Sequence, residues 1–164
     1  MKAAAPLRLV VLLLCLLGVS CRTLSPSGEP PSYYGRLFKS ADSVVLYSLN
    51  PRRSRDAVDE TLHGYKILGQ TPLDKEQSRQ VAEELYRAQK ASDGSSVRCF
   101  VPRHAVRTVA AGHIHDFLIC YQCYQVYWFQ DGTQVATVTV EGSPRFLNKL
   151  LQDAGIPLSN KGPG

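Results

Sequence analysis

The sequence lacks three features that would point directly to a function: a long apolar segment, an internal repeat and a strong charge imbalance. Its apolar run at residues 9–17 is too short to cross a bilayer comfortably. Residues 1–20 carry Lys2 and Arg8 but no acidic residue, so without them 17 basic side chains face 14 acidic ones. A net charge of +3 is mild and does not indicate nucleic-acid binding. A chain of 164 residues is typical of a single domain.

The N-terminal residues have the pattern of a targeting signal and not of a folded element. Basic Lys2 and Arg8 precede or begin the apolar run, and residues 18–20 are small and stand directly before Cys21. This arrangement resembles a bacterial lipoprotein signal, in which the cysteine is diacylated and becomes the mature N-terminus. We therefore predict a lipoprotein-type signal peptide over residues 1–20 and lipidation of Cys21. An ordinary cleaved signal, with Cys21 incidental, is the alternative.

The segment after Cys21 differs in composition from the remainder of the chain. It is rich in Ser, Pro and Gly and has no apolar periodicity, which is typical of a flexible tether. We predict a tether over residues 21–36 and one α+β domain over residues 37–160. Together with the leader, this organisation predicts an extracytoplasmic protein of the bacterial cell envelope, held at the membrane by its lipid.

Hydrophobic periodicity within the domain predicts the order ββαβββα. We expect an antiparallel sheet of about five strands with two helices packed on one face. Asp74 and Gln77 form a capping box at the start of the first helix, and Ser143 followed by Pro144 starts the second. The apolar stripes of these helices predict that Leu85, Leu147 and Leu150 are buried. The strands are expected at residues 43–49, 63–70, 105–109, 114–129 and 134–140.

Two cysteine-containing motifs lie in the second half of the chain, at Cys99–His104 (CFVPRH) and Ile119–Cys123 (ICYQC). They resemble a family of uncharacterised bacterial envelope proteins and lipoproteins that carry paired CFxPRH and ICFxC elements. The likeness covers roughly residues 44–157, and Tyr121 stands where the family pattern has Phe. The resemblance implies a domain type and an envelope location. It implies no activity.

The strand pattern also predicts how the cysteines pair. If residues 110–112 form a three-residue hairpin loop closed by glycine, Val109 pairs with His113 and His104 falls opposite Leu118. The same register places Cys99 opposite Cys123, on the same face of the sheet. Cys120 then points to the other face together with His104. In an oxidising compartment this register predicts a Cys99–Cys123 disulfide, with Cys120 left reduced.

Two other chemistries fit the same residues. Cys99, His104, Cys120 and Cys123 form a ligand set that zinc favours, and zinc is the alternative cofactor. Residues three apart on a regular strand point to opposite faces, which argues against a metal shared by Cys120 and Cys123. A thiol enzyme using Cys120 with His104 as base is the remaining alternative.

The sequence marks no catalytic residue, while Arg103 with His104 is a candidate anion-binding pair. We therefore predict a lipid-anchored extracytoplasmic domain of unknown biochemical role. It would act as a non-catalytic binding, interaction or structural protein of the cell envelope. The expected contacts are the membrane, through the N-terminal lipid, and an envelope protein partner; no nucleic acid is expected.

Overall fold

The computed structural model describes residues 33–56, 58 and 60–159. The predicted signal peptide and the predicted lipidation site, Cys21, lie outside these residues. The fold is α+β with an antiparallel sheet, as predicted. The described residues form seven strands and three α-helices, where about five strands and two helices were expected. The helices are α1 (Tyr33–Lys39), α2 (Lys75–Ala91) and α3 (Arg145–Asp153). The strands are β1 (Ser43–Arg53), β2 (Thr61–Leu62), β3 (Tyr65–Pro72), β4 (His104–Ala110), β5 (His113–Cys120), β6 (Gln125–Gln130) and β7 (Thr133–Thr139).

The strands form one sheet in the order β2-β3-β1-β4-β5-β6-β7, and every neighbouring pair is antiparallel. From β4 to β7 the sheet is a meander, in which tight turns connect strands that are adjacent in sequence. The long strand predicted over residues 114–129 is two strands. A 3₁₀ turn at Tyr121–Cys123 separates β5 from β6, and Tyr124 follows it in the left-handed conformation with φ 57°.

Three helices cover one face of this sheet. Helix α1 begins at Tyr33, four residues before the expected start of the domain, and buries Tyr34 and Phe38. Its side chains join those of α2 and α3 in one apolar cluster with β1, β4, β5 and β6. Leu85, Leu147 and Leu150 belong to this cluster, so their predicted burial is confirmed.

The start of α2 has the predicted capping box. The backbone N–H of Gln77 donates to Oδ1 of Asp74 over 2.8 Å, and the backbone N–H of Asp74 donates to Oε1 of Gln77 over 3.0 Å. These bonds satisfy amides that a helix start otherwise leaves without partners. Helix α3 begins at Arg145, one residue later than predicted, with Pro144 as its N-cap residue.

The opposite face of the sheet carries a second, smaller apolar cluster, which none of the three described helices covers. Its buried members are Tyr47, Leu49, Leu62, Tyr65, Ala105 and Leu118. Phe100, from the loop before β4, packs onto this cluster and stacks on Tyr127 with 3.5 Å between ring centroids. The loop that contains the first cysteine motif therefore lies against the sheet and does not project from it.

Candidate functional site

A cleft of about 600 Å³ opens where β4 begins and β5 ends. Its walls come from four separate parts of the chain: the CFxPRH motif, the 3₁₀ turn, the start of α3 and the segment that follows α3. Polar groups of Arg103, His104, Gln122 and Asn148 lie in its lining, beside apolar groups such as Val101, Ile119 and Leu158. A concave site of this volume with a few polar groups among apolar ones is typical of sites that bind small molecules.

His104 forms the buried polar part of this cleft. Its residue is 3% exposed, and its Nε2 lies 2.8 Å from Oδ1 of Asn148 on α3. Because an amide oxygen only accepts, the imidazole donates from Nε2 in this pair. Burial lowers the pKa of His104 to about 4. The hydrogen bond to Asn148 raises this pKa, but less than burial lowers it, and the nearby charge of Arg103 lowers it further. His104 is therefore neutral at neutral pH and supplies a hydrogen-bonding group, not a charge.

Arg103 supplies the positive charge at the cleft. Its Nη1 donates to Oε1 of Gln122 over 3.0 Å, which fixes the guanidinium beside the 3₁₀ turn. Its Nε is buried and has no hydrogen-bond partner within the part of the chain that the structure describes. A buried donor without a partner is costly, so an acceptor bound at this position would stabilise the side chain. Of the predicted anion-binding pair, Arg103 has the charge that the chemistry needs and His104 does not.

Three cysteines meet at the 3₁₀ turn that borders the cleft. Cys120 and Cys123 form a disulfide, with 5.2 Å between their Cα atoms. Cys99 is a free, exposed cysteine whose Sγ lies 3.0 Å from Sγ of Cys123. We call Cys99, Cys120 and Cys123 the three-cysteine cluster.

Two hydrogen bonds hold the segment before Cys99 at the turn. The backbone N–H of Val97 donates to the carbonyl of Cys123 over 3.3 Å. The side chain of Gln125 donates to the carbonyl of Val97 over 2.8 Å. The position of Cys99 is therefore set by the turn itself and by the first residue of β6.

The predicted Cys99–Cys123 disulfide is not the bond in the structure, since Cys123 is bonded to Cys120. The prediction assumed one regular strand through residues 114–129, on which residues three apart point to opposite faces. The 3₁₀ turn ends that strand at Cys120 and brings Cys120 and Cys123 together. The expected proximity of Cys99 and Cys123 is nevertheless present.

The predicted hairpin register is also wrong by one residue. Val109 pairs with Ile114, and His104 pairs with Ile119 where Leu118 was expected. The cause is a two-residue turn, in which Ala111 and Gly112 both have positive φ, of 51° and 80°. Two left-handed residues in succession are typical of the type I′ turn that joins antiparallel strands.

The alternative chemistries can be set against this geometry. The structure brings together the three sulfurs of the predicted zinc ligands, whereas Nε2 of the fourth, His104, is bonded to Asn148. Within the part of the chain that the structure describes, no group of three or more His, Cys, Asp or Glu side chains is arranged to hold a metal ion. For the thiol-enzyme alternative, Cys120 lies beside His104 in the cleft lining but is held in the disulfide.

Sequence reasoning missed a second polar network on the face without helices. Asp116 on β5 accepts from Nε and Nη2 of Arg107 at 2.7 and 2.9 Å, and its Oδ2 lies 2.8 Å from Nε2 of His63. Burial alone would raise the pKa of Asp116, but the hydrogen bonds from Arg107 and His63 outweigh it and lower that pKa. His63 also stacks on Phe129, with 3.7 Å between ring centroids. The network ties the turn between β2 and β3 to the middle of the sheet.

Comparison of the chain with protein-family models, with curated proteins and with solved structures finds no match. None of the helices among the described residues has the length and apolar character needed to cross a membrane.

Proposed function

We propose that the protein is a lipid-anchored extracytoplasmic binding domain, which takes up a small anion with an apolar body in the cleft beside Arg103. The observation that carries this proposal is the guanidinium of Arg103 in the cleft lining, whose buried Nε has no hydrogen-bond partner among the described residues. A carboxylate or phosphate in the cleft would pair with the guanidinium charge, and a small movement of the Arg103 side chain would let its buried Nε–H donate to an anion oxygen. The neutral imidazole of His104 adds a polar group in the same wall.

The remainder of the cleft supports an apolar part of the ligand. Val101, Ile119 and Leu158 line it together with the ring of Tyr124. Contact with such groups removes apolar ligand surface from water, which contributes about 25 cal/mol per Å². We therefore expect hexanoate or benzoate to bind more tightly than acetate, which offers the same charge with little apolar surface.

Binding of these probes to purified protein by isothermal titration calorimetry tests the proposal. Arg103→Gln should weaken benzoate binding about 10- to 100-fold, since a hydrogen bond to a charged group contributes roughly 1.5–3 kcal/mol. Arg98→Gln is the matched control, because Arg98 is exposed, lies in the same loop and is not part of the cleft lining. Equal losses in both variants, or no binding of any carboxylate or phosphate by the wild-type protein, would overturn the proposal.

The lipid anchor at Cys21 is supported by the leader pattern and by the resemblance to envelope lipoproteins. A disulfide between Cys120 and Cys123 is also in keeping with an oxidising compartment. The test is fractionation of cells that express wild-type protein or Cys21→Ser. Wild-type protein should sediment with membranes, and the variant should be released or remain as uncleaved precursor. Unmodified, freely soluble wild-type protein would contradict the anchor.

The zinc-stabilised module remains the second candidate, because the three sulfurs of its predicted ligand set lie together. Metal analysis and thiol titration of the purified protein separate the two. A disulfide-bonded binding domain contains no zinc and has one free thiol among residues 99–123. Stoichiometric zinc with three reactive cysteines after its removal would favour the zinc module.

A further inference from the structure

We propose that the three-cysteine cluster is a thiol–disulfide exchange site in which Cys123 is the shared sulfur and bonds either Cys120 or Cys99. This inference goes beyond the proposed binding function and does not depend on it. It rests on the placement of a free thiol against a disulfide, at 3.0 Å between Sγ of Cys99 and Sγ of Cys123.

The exchange needs no partner reagent. The thiolate of Cys99 attacks Sγ of Cys123, a new Cys99–Cys123 bond forms, and the bond between Cys123 and Cys120 breaks. Cys120 leaves as a thiolate and takes up a proton, which replaces the one that Cys99 released. One disulfide and one thiol are present before and after the step, so no oxidant or reductant is consumed.

The local structure favours this exchange over reaction with other thiols. Cys123 is completely buried, so an external thiol cannot reach its sulfur directly. Sγ of Cys99 lies 3.0 Å from it, and the hydrogen bonds of Val97 and Gln125 hold the Cys99 segment in place. Access of the attacking sulfur determines which bond is exchanged, and among the cysteines that the structure describes Cys99 has that access.

The exchange would move the free thiol from one environment to another. With the Cys120–Cys123 bond in place, the free thiol is Cys99, which is exposed. After exchange the free thiol is Cys120, which is 2% exposed and lines the cleft. The site would thus present either the Cys99 thiol at the surface or the Cys120 thiol in the cleft. A thiol-containing ligand or a soft metal ion would have to enter the cleft to reach Cys120.

Tryptic cleavage makes the two bonds distinguishable. Cleavage after Arg98 and Arg103 places Cys99 alone in peptide 99–103, whereas Cys120 and Cys123 share peptide 108–145. A Cys120–Cys123 bond stays within one peptide, and a Cys99–Cys123 bond links the two peptides. Further cleavage after Tyr121 separates Cys120 from Cys123 and identifies the cysteine in the link.

The experiment incubates the oxidised full chain in detergent at pH 8, quenches samples with acid at increasing times, blocks free thiols with N-ethylmaleimide and maps the peptides. We expect the linked pair 99–103/108–145 to rise to a plateau at a rate independent of protein concentration, with the link at Cys123 and the blocking group on Cys120. Peptide 99–103 should lose its blocking group in the same proportion. A fully blocked peptide 99–103 at every time, or a link that forms only in proportion to protein concentration, would overturn the proposal.

Two variants test the roles of particular sulfurs. Cys123→Ser should abolish the link completely, and a Cys99–Cys120 bond in its place would contradict Cys123 as the shared sulfur. Ser96→Cys in a Cys99→Ser background is the matched control, because it keeps an exposed thiol on the same loop but moves it three residues away. That variant should retain only the bond between Cys120 and Cys123. Exchange as fast as in the wild-type protein would show that the position of Cys99 has no role.

Discussion

On one face of the sheet three helices supply the covering side chains, whereas on the other face loops and turns supply them. The helix-covered face carries the larger apolar cluster, with Leu85 and Leu147 completely buried. The other face has a smaller apolar cluster beside a charged network of Asp116, Arg107 and His63. Helices cover a sheet through apolar side chains that recur at regular spacing. Loops have no such repeat, so their packing depends on a few specific hydrogen bonds and ion pairs.

The candidate site lies at the end of the sheet where these two kinds of cover meet. Its cleft takes Asn148 from helix α3 on one side and Arg103 from the loop before β4 on the other. The disulfide of Cys120 and Cys123 fixes the turn between them. Substitutions on the two faces should therefore change the free energy of unfolding by different amounts and with different pH dependence. Substitutions on either face should also affect the cleft.

The largest expected effect is on the helix-covered face. Leu85→Ala removes a completely buried side chain from the main cluster and should lower the free energy of unfolding by about 2–5 kcal/mol. Urea unfolding followed by circular dichroism measures this change. Val135→Ala is the control, because Val135 is 48% exposed and its loss should change stability by less than about 0.5 kcal/mol. Similar effects for the two variants would show that α2 does not cover the sheet as described.

A smaller effect is expected on the opposite face. Asp116→Asn removes the charge that Arg107 and His63 share, and should cost about 1–3 kcal/mol in the same assay. The loss is limited because the side chain of Arg107 is 34% exposed and can be solvated again. Asp131→Asn is the control, because it breaks an exposed pair with His113 and should therefore cost clearly less. If Asp116→Asn lowered stability no more than this control, the network of Asp116, Arg107 and His63 would not stabilise that face.

The pH dependence of stability should also distinguish the faces. The folded-state pKa of His104 is about 4, below its ordinary 6.5, so between these values the unfolded chain binds a proton that the folded chain does not. The contribution of neutral His104 to the free energy of unfolding is fully present above the ordinary pKa of 6.5. It falls as the pH drops, by about 2 kcal/mol between pH 7 and pH 5. The lowered pKa of Asp116 means that its contribution is lost only below its ordinary value of 3.8.

Unfolding of wild-type protein and of His104→Gln at pH 7, 6 and 5 measures the contribution of His104 as a difference. Burial also lowers the pKa of His115, but that residue is present in both proteins and cancels. The variant should lose most of the pH slope that the wild-type protein shows in this range. Parallel slopes would mean that His104 is not buried in its neutral form.

The sequence was sufficient for the features that depend on local patterns. The capping box of Asp74 and Gln77 and the apolar stripes of α2 and α3 follow from spacing alone, and the structure has them. Helix α1 was missed because it is short and has Gly35 near its centre. The spacing of Tyr34 and Phe38, four residues apart and both buried, was the available signal.

The candidate site depends on features that spacing does not determine. A single 3₁₀ turn at Tyr121–Cys123 decides which cysteines bond, and a one-residue difference in the hairpin loop decides what His104 faces. The pairing of Arg107 with Asp116 follows from that same register, so an error of one residue conceals it. The cleft joins four distant segments, and no local pattern specifies their meeting.

The central claim, that Arg103 binds an anion in the cleft, is tested most directly by the Nε–H resonance of its side chain. Titration of ¹⁵N-labelled protein with benzoate should shift the Arg103 Nε–H signal in a saturable manner, together with the side-chain amides of Gln122 and Asn148. The Nε–H signal of Arg98, in the same loop but outside the cleft lining, should stay in place. An unchanged Arg103 signal at saturating benzoate, or equal shifts of both arginines, would contradict the account.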